Sequence, residues 1–196
     1  MTKNSLLDRR EAVKALLTDR GDLLVITGLG SSSYDVFDAG DHDGNFYLWG
    51  AMGGAAVMGL GLAQAQPKRP VLVITGDGEQ LMGIGGLLTI AAHKPPNLAI
   101  AVLDNGHFGE TGMQRSHSGL GARLDAIARG AGFMSVTEIT DMQGIASFRN
   151  DIHLLAGGPK LGLVRISTDH VDRALPPRDG VFLKNRFRQH LGLAVS

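Results

Sequence analysis

The chain has 196 residues, 19 Lys and Arg against 19 Asp and Glu, and no cysteine. That length suits one domain with a sizeable core, expected over 1–196. Zero net charge gives no general electrostatic case for nucleic acid or an acidic membrane surface, and the lack of cysteine excludes disulfides, thiolate nucleophiles and cysteine-ligated zinc. No window reaches the roughly 20 uncharged apolar residues of a spanning helix. The charged N-terminus, MTKNSLLDRREAVKALLTDR, lacks the continuous apolar core of a signal peptide. The expectation is a cytoplasmic domain that partners neither nucleic acid nor membrane.

Residues 5–19 place Leu6, Leu7, Val13, Leu16 and Leu17 roughly on one helical face, with Ser5 as N-cap and Gly21 as stop. Leu23 to Thr27 reads as a first buried strand. It runs into Gly28-Leu29-Gly30-Ser31-Ser32-Ser33, small residues whose free N–H groups and hydroxyls suit a phosphate. A dinucleotide fingerprint would need a third glycine where Ser33 stands, and a plain strand-to-loop turn is the other reading. Gly40 and Gly44 argue against a long helix after Tyr34. Residues 38–45, DAGDHDGN, read as a solvated loop, because the calcium-loop spacing and its closing glutamate are absent. A short strand, Phe46 to Trp49, leads into Gly50-Ala51-Met52-Gly53-Gly54. A buried helix of small and apolar residues follows, Ala55 to Ala65, ended by Gln66-Pro67-Lys68-Arg69-Pro70.

The most informative segment comes next. Val71 to Thr75 is an apolar strand that feeds Gly76-Asp77-Gly78. A Gly/Leu/Ile/Ala-rich helix stops at Pro95-Pro96-Asn97, and a second strand, Leu98 to Leu103, ends on Asp104-Asn105-Gly106. The pattern is strand, carboxylate-bearing loop, helix, strand, amide-bearing loop. In a right-handed βαβ unit, adjacent parallel strands put their C-terminal loops on one sheet edge. Asp77 and Asn105 then meet there, each with a hard oxygen, as suits a Mg²⁺ ion also held by phosphate oxygens.

Beyond that point, Arg115 to Gly119 reads as a polar, mobile connection. Leu120–Gly130 reads as an amphipathic helix, Phe133–Ile139 as a strand, Gln143–Leu155 as a helix closed by Gly157-Gly158-Pro159, and Leu161–Ser167 as a last strand. Lys184, Arg186 and Arg188 near the C-terminus read as a solvated face. His93, His117, His153, His170 and His190 read as surface or boundary residues. Alternating strands and helices with nearly continuous apolar strands imply a doubly wound, mostly parallel α/β sheet with helices on both faces, whose ligands bind beyond the carboxyl ends of the strands.

Gly76-Asp77-Gly78, followed after residues 79–103 by Asp104-Asn105, resembles the cofactor motif of thiamine diphosphate-dependent enzymes, written GDG…NN. Asp104 stands at the first of the two final positions. Gly50-Ala51-Met52-Gly53 is similar to that family's Gly-x-Φ-Gly segment, and DNGHFGETGMQ at 104–114 looks like the corresponding loop of phosphonopyruvate and sulfopyruvate decarboxylases. The resemblance spans about residues 20–170. It implies the thiamine diphosphate-binding fold, with thiamine diphosphate and Mg²⁺ as cofactors. The metal would be held by Asp77, Asn105 and the backbone carbonyl of His107. The diphosphate would lie against amides near Gly78, Glu79 (by its backbone alone) and Ser31, beside Gly28, Gly30 and Gly76. The aminopyrimidine would sit on Gly50 and Ala51, with Met52 as the wedge that bends the cofactor; a plain core role is the alternative for Met52. His107, Phe108 and Gly109 would complete the site, His107 also steering substrate or protons.

The resemblance further implies a β-type subunit of a 2-oxo acid decarboxylase, since such enzymes take an activating glutamate from a pyrimidine-binding domain. Here a separate α-type chain would supply it, in a hetero-oligomer built on dimers. Alternative readings are an oxidoreductase or carboligase subunit, and a thiamine diphosphate-binding module without catalysis.

Overall fold

A computed structural model describes residues 6–195. Its strands are β1 (Leu24–Thr27), β2 (Asn45–Tyr47), β3 (Val71–Gly76), β4 (Leu98–Asp104), β5 (His107–Phe108), β6 (Gln114–Arg115), β7 (Ser135–Ile139) and β8 (Lys160–Arg165). Six of them form one sheet in the order β2-β1-β3-β4-β8-β7, every pairing parallel. β5 and β6 form a small antiparallel hairpin beyond the end of β4. The helices are α1 (Arg9–Leu16), α2 (Ser31–Asp38), α3 (Ala55–Ala65), α4 (Asp77–Met82), α5 (Gly86–His93), α6 (Leu124–Ala131), α7 (Met142–Ile152) and α8 (Gly180–His190).

The central strands are apolar on both faces, and the two-residue period of a strand sorts their side chains into two cores. Leu24, Ile26, Val71, Val73, Leu98 and Ile100 face α3, α5 and α6. Val25, Leu72, Ile74, Ala99 and Ala101 face α1, α2 and α7. Each fully buried Leu or Ile contributes about 1.5–3 kcal/mol relative to exposure, so both layers are held by the continuous hydrophobicity of β1, β3 and β4. Helix α3 lies unusually close to β3: a Cβ at Gly59 would come within 2.3 Å of a Val73 methyl. Helix α8 closes the β2 edge, where Phe187 meets Phe46 edge-on at 5.7 Å.

Several boundaries differ from the sequence expectation for physical reasons. Helix α1 starts at Arg9, because the Asp8 side chain caps it by accepting from Glu11 N at 2.9 Å. Ser5, the expected cap, lies outside the described residues. Leu7 is not helical; it makes a parallel bridge to Ile166. The turn after β1 becomes helix at once, at Ser31. Asp77 and Gly78 are likewise the first turn of α4 rather than a loop, and the expected single helix is split into α4 and α5 around Gly83. Helix α3 is buried on one face only, for Val57 and Met58 are exposed. The basic run near the C-terminus is not simply solvated: Arg186 bonds Asp41 and the Asn45 carbonyl, and its side chain is largely buried. His93, His117, His153 and His170 are exposed, and His190 is half-buried, as expected.

Candidate active site

The strand register sets the site. Gly76, at the end of β3, pairs with Leu103 of β4, so Asp77 and Asn105 leave neighbouring strands at the same carboxyl edge. A cleft opens there, and it is lined by Ser31, Met52, Gly76, Asp77, Gly78, Glu79, Asn105, His107, Phe108 and Gly109 among others. The ends of β1, β3 and β4 and the loop after β2 therefore converge on one place. Gly28, Gly30, Gly50 and Ala51 are not among the lining residues.

Asp77 is buried, and its Oδ2 accepts a hydrogen bond from Ser116 Oγ. Burial is the main cause that pushes its carboxyl up to about 6; the nearby Asp104 charge pushes the same way, while the Ser116 hydroxyl and backbone amides of the first helical turn oppose it. Among the described residues no Lys, Arg or His pairs with Asp77, so a bound cation would relieve its cost of ionisation. Asp104, by contrast, is fully engaged: Oδ1 accepts from Gly106 N at 3.0 Å, and Oδ2 from Ser118 Oγ at 2.6 Å and from Arg165. Asn105 Oδ1 accepts from His107 N at 2.9 Å, and its carbonyl accepts from His107 Nδ1 at 2.8 Å. That second bond places the His107 proton on Nδ1 in the neutral ring and leaves Nε2 as the acceptor. Among the described residues no three His, Asp or Glu side chains form a metal cage. A metal here would need backbone and ligand oxygens beside Asp77 and Asn105, as a hard divalent ion does at a phosphate site.

The glycines of the motif have identifiable jobs. A Cβ on Gly78 would lie 2.4 Å from the Phe108 ring, so this glycine lets the hairpin loop close over α4. Gly50 and Gly53 have φ of +77° and +87°, which favours glycine. Gly53 also sits backbone to backbone on Gly83, at 2.8 Å from a built Cβ to Gly83 N. The 50–54 turn is thereby seated on the α4–α5 junction. It carries Met52 into the cleft with the residue 46% exposed, which removes the core reading for it.

Glu79 departs from the expectation that only its backbone matters. Its side chain is buried, and Oε2 accepts from Thr75 Oγ1 at 2.7 Å. Burial raises its pKa, opposed by Thr75 and by the amides of Gly53, Ala55 and Leu29. A Cβ on Gly28 would lie 1.6 Å from Oε2. The carboxyl thus sits at the junction of the β1–α2 turn, the 50–55 turn and α4, and Gly28 leaves room for it. Three other groups were not assigned to the site from the sequence, although Glu110 lies in the 104–114 segment. Ser116 belongs to the segment expected to be mobile, yet it is fully buried, with its N–H on the Gly106 carbonyl at 2.9 Å. Arg9, far upstream of every motif, lines the cleft. Glu110 also lines it and pairs with Arg173 at 3.0 Å.

Comparison with known proteins bears on the family and the fold. The family model described as "Thiamine pyrophosphate enzyme, C-terminal TPP binding domain" matches residues 33–153. The chain is similar to the sulfopyruvate decarboxylase subunit beta of Methanothermobacter thermautotrophicus, 39% identical over 137 residues, covering 70% of this chain and 73% of that one. It is also similar to the phosphonopyruvate decarboxylase of Streptomyces viridochromogenes, 42% identical over 125 residues, 64% of this chain but 31% of that protein. The chain therefore spans about a third of the length of that larger relative. Among solved structures, a putative thiamin diphosphate-dependent enzyme from Mycobacterium smegmatis superposes with a TM-score of 0.70 at 22% identity, over 82% of this chain and 32% of that one; at that identity the likeness concerns the fold. By its match over most of the sheet and the cleft, the chain belongs to the family of C-terminal thiamine pyrophosphate-binding domains of thiamine pyrophosphate enzymes.

Proposed function

We propose that this chain is the thiamine diphosphate- and Mg²⁺-binding, β-type subunit of a two-chain 2-oxo acid decarboxylase acting on a sulfopyruvate- or phosphonopyruvate-like substrate. The observation that carries the reading is the buried Asp77 carboxylate, without a cationic partner among the described residues, which follows the strand next to the one that leads to Asn105, in a cleft that Met52 also enters. Support for the substrate class comes from relatives named as sulfopyruvate and phosphonopyruvate decarboxylases. Support for a partner comes from relatives named subunit beta.

Asp77, Asn105 and the His107 carbonyl would hold the metal and, through it, the diphosphate. The Ser116 hydroxyl donates to Asp77 Oδ2 and so fixes the orientation of this carboxylate. Met52 would fill the angle between the two cofactor rings with a flexible apolar side chain. When bound, thiamine diphosphate supplies the carbon nucleophile for the 2-oxo group and accepts the electrons released with CO2. His107, with Nδ1 committed to Asn105 O, would hold or pass a proton at Nε2. The activating glutamate would come from the pyrimidine-binding partner chain, in a cytoplasmic hetero-oligomer.

The test is co-expression with a pyrimidine-binding partner, followed by measurement of CO2 release from sulfopyruvate and phosphonopyruvate. Turnover by the pair and none by this chain alone is expected. Turnover by the lone chain would overturn the need for a partner, and release of CO2 from neither acid by the pair would overturn the substrate class.

A further inference from the structure

Among the described residues that line the cleft, one is an arginine or lysine: Arg9, the first residue of α1. Its side chain is only 12% exposed, and its Nε lies 3.6 Å from Asp35 Oδ2. Asp35 is itself fully buried and also faces Arg10 Nε at 3.5 Å. Arg9 is thus held from behind by a buried carboxylate while it borders the cleft. It also borders an adjoining cavity, together with Ser31, Asn105, Glu110, His170 and Arg173. The two cavities share Arg9, Ser31, Asn105, Gly109 and Glu110 as lining residues.

A carboxylate lies between these groups. Glu110 Oε2 accepts from Arg173 Nη2 at 3.0 Å, and Oε1 lies 3.4 Å from Ser31 Oγ. Glu110 also lies over the β1–α2 turn, for a Cβ at Gly30 would come 2.9 Å from its Cγ. Of the three carboxylates in the cleft, Asp77 and Glu79 are buried and Glu110 is exposed. It is the one free to turn away. A phosphate placed where the Glu110 carboxylate sits would meet the Ser31 hydroxyl and the Arg173 fork, with the Arg9 guanidinium bordering the same space. Guanidinium groups match phosphate oxygens in both charge and shape.

We infer that Arg9 and Arg173 clamp the terminal phosphate of the diphosphate ligand, and that Glu110 occupies this position until the ligand displaces it. This rests on the cofactor reading above and adds two residues that lie outside the matched span 33–153. The clamp acts on the outer phosphate, so it sets the preference for a diphosphate over a monophosphate.

The test is calorimetric titration of the full chain with Mg²⁺ and, separately, thiamine diphosphate, thiamine monophosphate and inorganic pyrophosphate. Arg9→Lys keeps a charge beside Asp35 but loses the fork, and Arg173→Ala alters an exposed side chain. Each is expected to weaken thiamine diphosphate and pyrophosphate by about tenfold or more while changing thiamine monophosphate by less than about threefold. Glu110→Gln is expected to tighten both diphosphates. Thermal melts check that each variant is folded. If both arginine variants are folded and keep the wild-type ratio of diphosphate to monophosphate affinity, the clamp is wrong and the cofactor reading stands. If the wild type binds pyrophosphate in an Arg9- and Arg173-dependent way but no thiamine compound, the clamp stands and the cofactor reading fails. Binding of none of the three overturns both.

Discussion

The Ser116 hydroxyl donates to Asp77 Oδ2 across 39 residues of sequence, and both side chains are buried. This bond ties the strap after the hairpin to the carboxylate proposed as metal ligand. A hydrogen bond to a buried charged group is worth about 1.5–3 kcal/mol, and leaving such a group unsatisfied costs comparably. Ser116→Ala is therefore expected to lower unfolding free energy by about 1–3 kcal/mol and to weaken Mg²⁺–pyrophosphate binding. Denaturant melts and calorimetry check both. Wild-type values on both would mean that the hydroxyl does not hold the carboxylate.

Asp35 gives a pH prediction. Burial pushes its carboxyl up to about 6, opposed by Arg9 and Arg10. A carboxyl whose folded pKa lies above its unfolded value favours the fold below the unfolded value, near 3.8, and that contribution is lost as pH rises through 6. The loss is on the order of 2–3 kcal/mol, at 1.36 kcal/mol per pKa unit. Asp35→Asn removes it, so the stability of this variant relative to wild type should rise between pH 4 and pH 7. Asp77 and Glu79, whose pKa values are also raised by burial, keep part of the trend in both proteins. Parallel stability curves for variant and wild type across that range would refute the assignment.

Gly28 and Glu79 form a coupled pair. Gly28→Ala drives a methyl into the Glu79 carboxyl, which must then leave Thr75. The expected cost is about 1–3 kcal/mol, as for other overpacked sites. Adding Glu79→Ala should recover part of it, giving a coupling of at least about 0.5 kcal/mol in a double-mutant cycle. Strict additivity would show that the two residues do not compete for the same space.

Arg186 anchors α8 by bonding Asp41 and the Asn45 carbonyl and by stacking its guanidinium 5.9 Å from the Tyr47 ring. Removing one partner of a largely buried pair is costly. Arg186→Met should cost about 2–4 kcal/mol and raise hydrogen exchange in α8 before the central strands. Uniform exchange changes across the chain would argue against a local anchor.

Much of the architecture was legible because it depends on local pattern. The apolar runs at β1, β3 and β4 and the Pro95-Pro96 break specify parallel strands and a crossover, and these place Asp77 beside Asn105. Glu79 was misread for a geometric reason. The first turn of α4, Asp77 to Gln80, is buried all round, so the Glu79 side chain is enclosed along with its backbone. Ser116 could not be seen, because a serine in a polar run carries no periodic signal and its burial depends on a contact 39 residues away. Arg9 was hidden likewise: a charged residue on an amphipathic helix looks solvated until Asp35 is found beneath it.

The Leu7–Ile166 bridge, with Leu7 N on the Arg165 carbonyl at 3.1 Å and Ser167 N on the Leu7 carbonyl at 2.9 Å, stitches the beginning of the chain to its far end. Arg10 adds a bond to the Asp172 carbonyl. The Asp77–Ser116 corner of the cleft, in contrast, closes within residues 77–116. One half of the cleft thus closes a loop of about forty residues, while the half bearing Arg9 and Arg173 depends on contacts separated by more than 150 residues, whose closure costs more chain entropy. A protein trimmed by its first ten residues would keep the Asp77–Ser116 bond and lose the seam beside it.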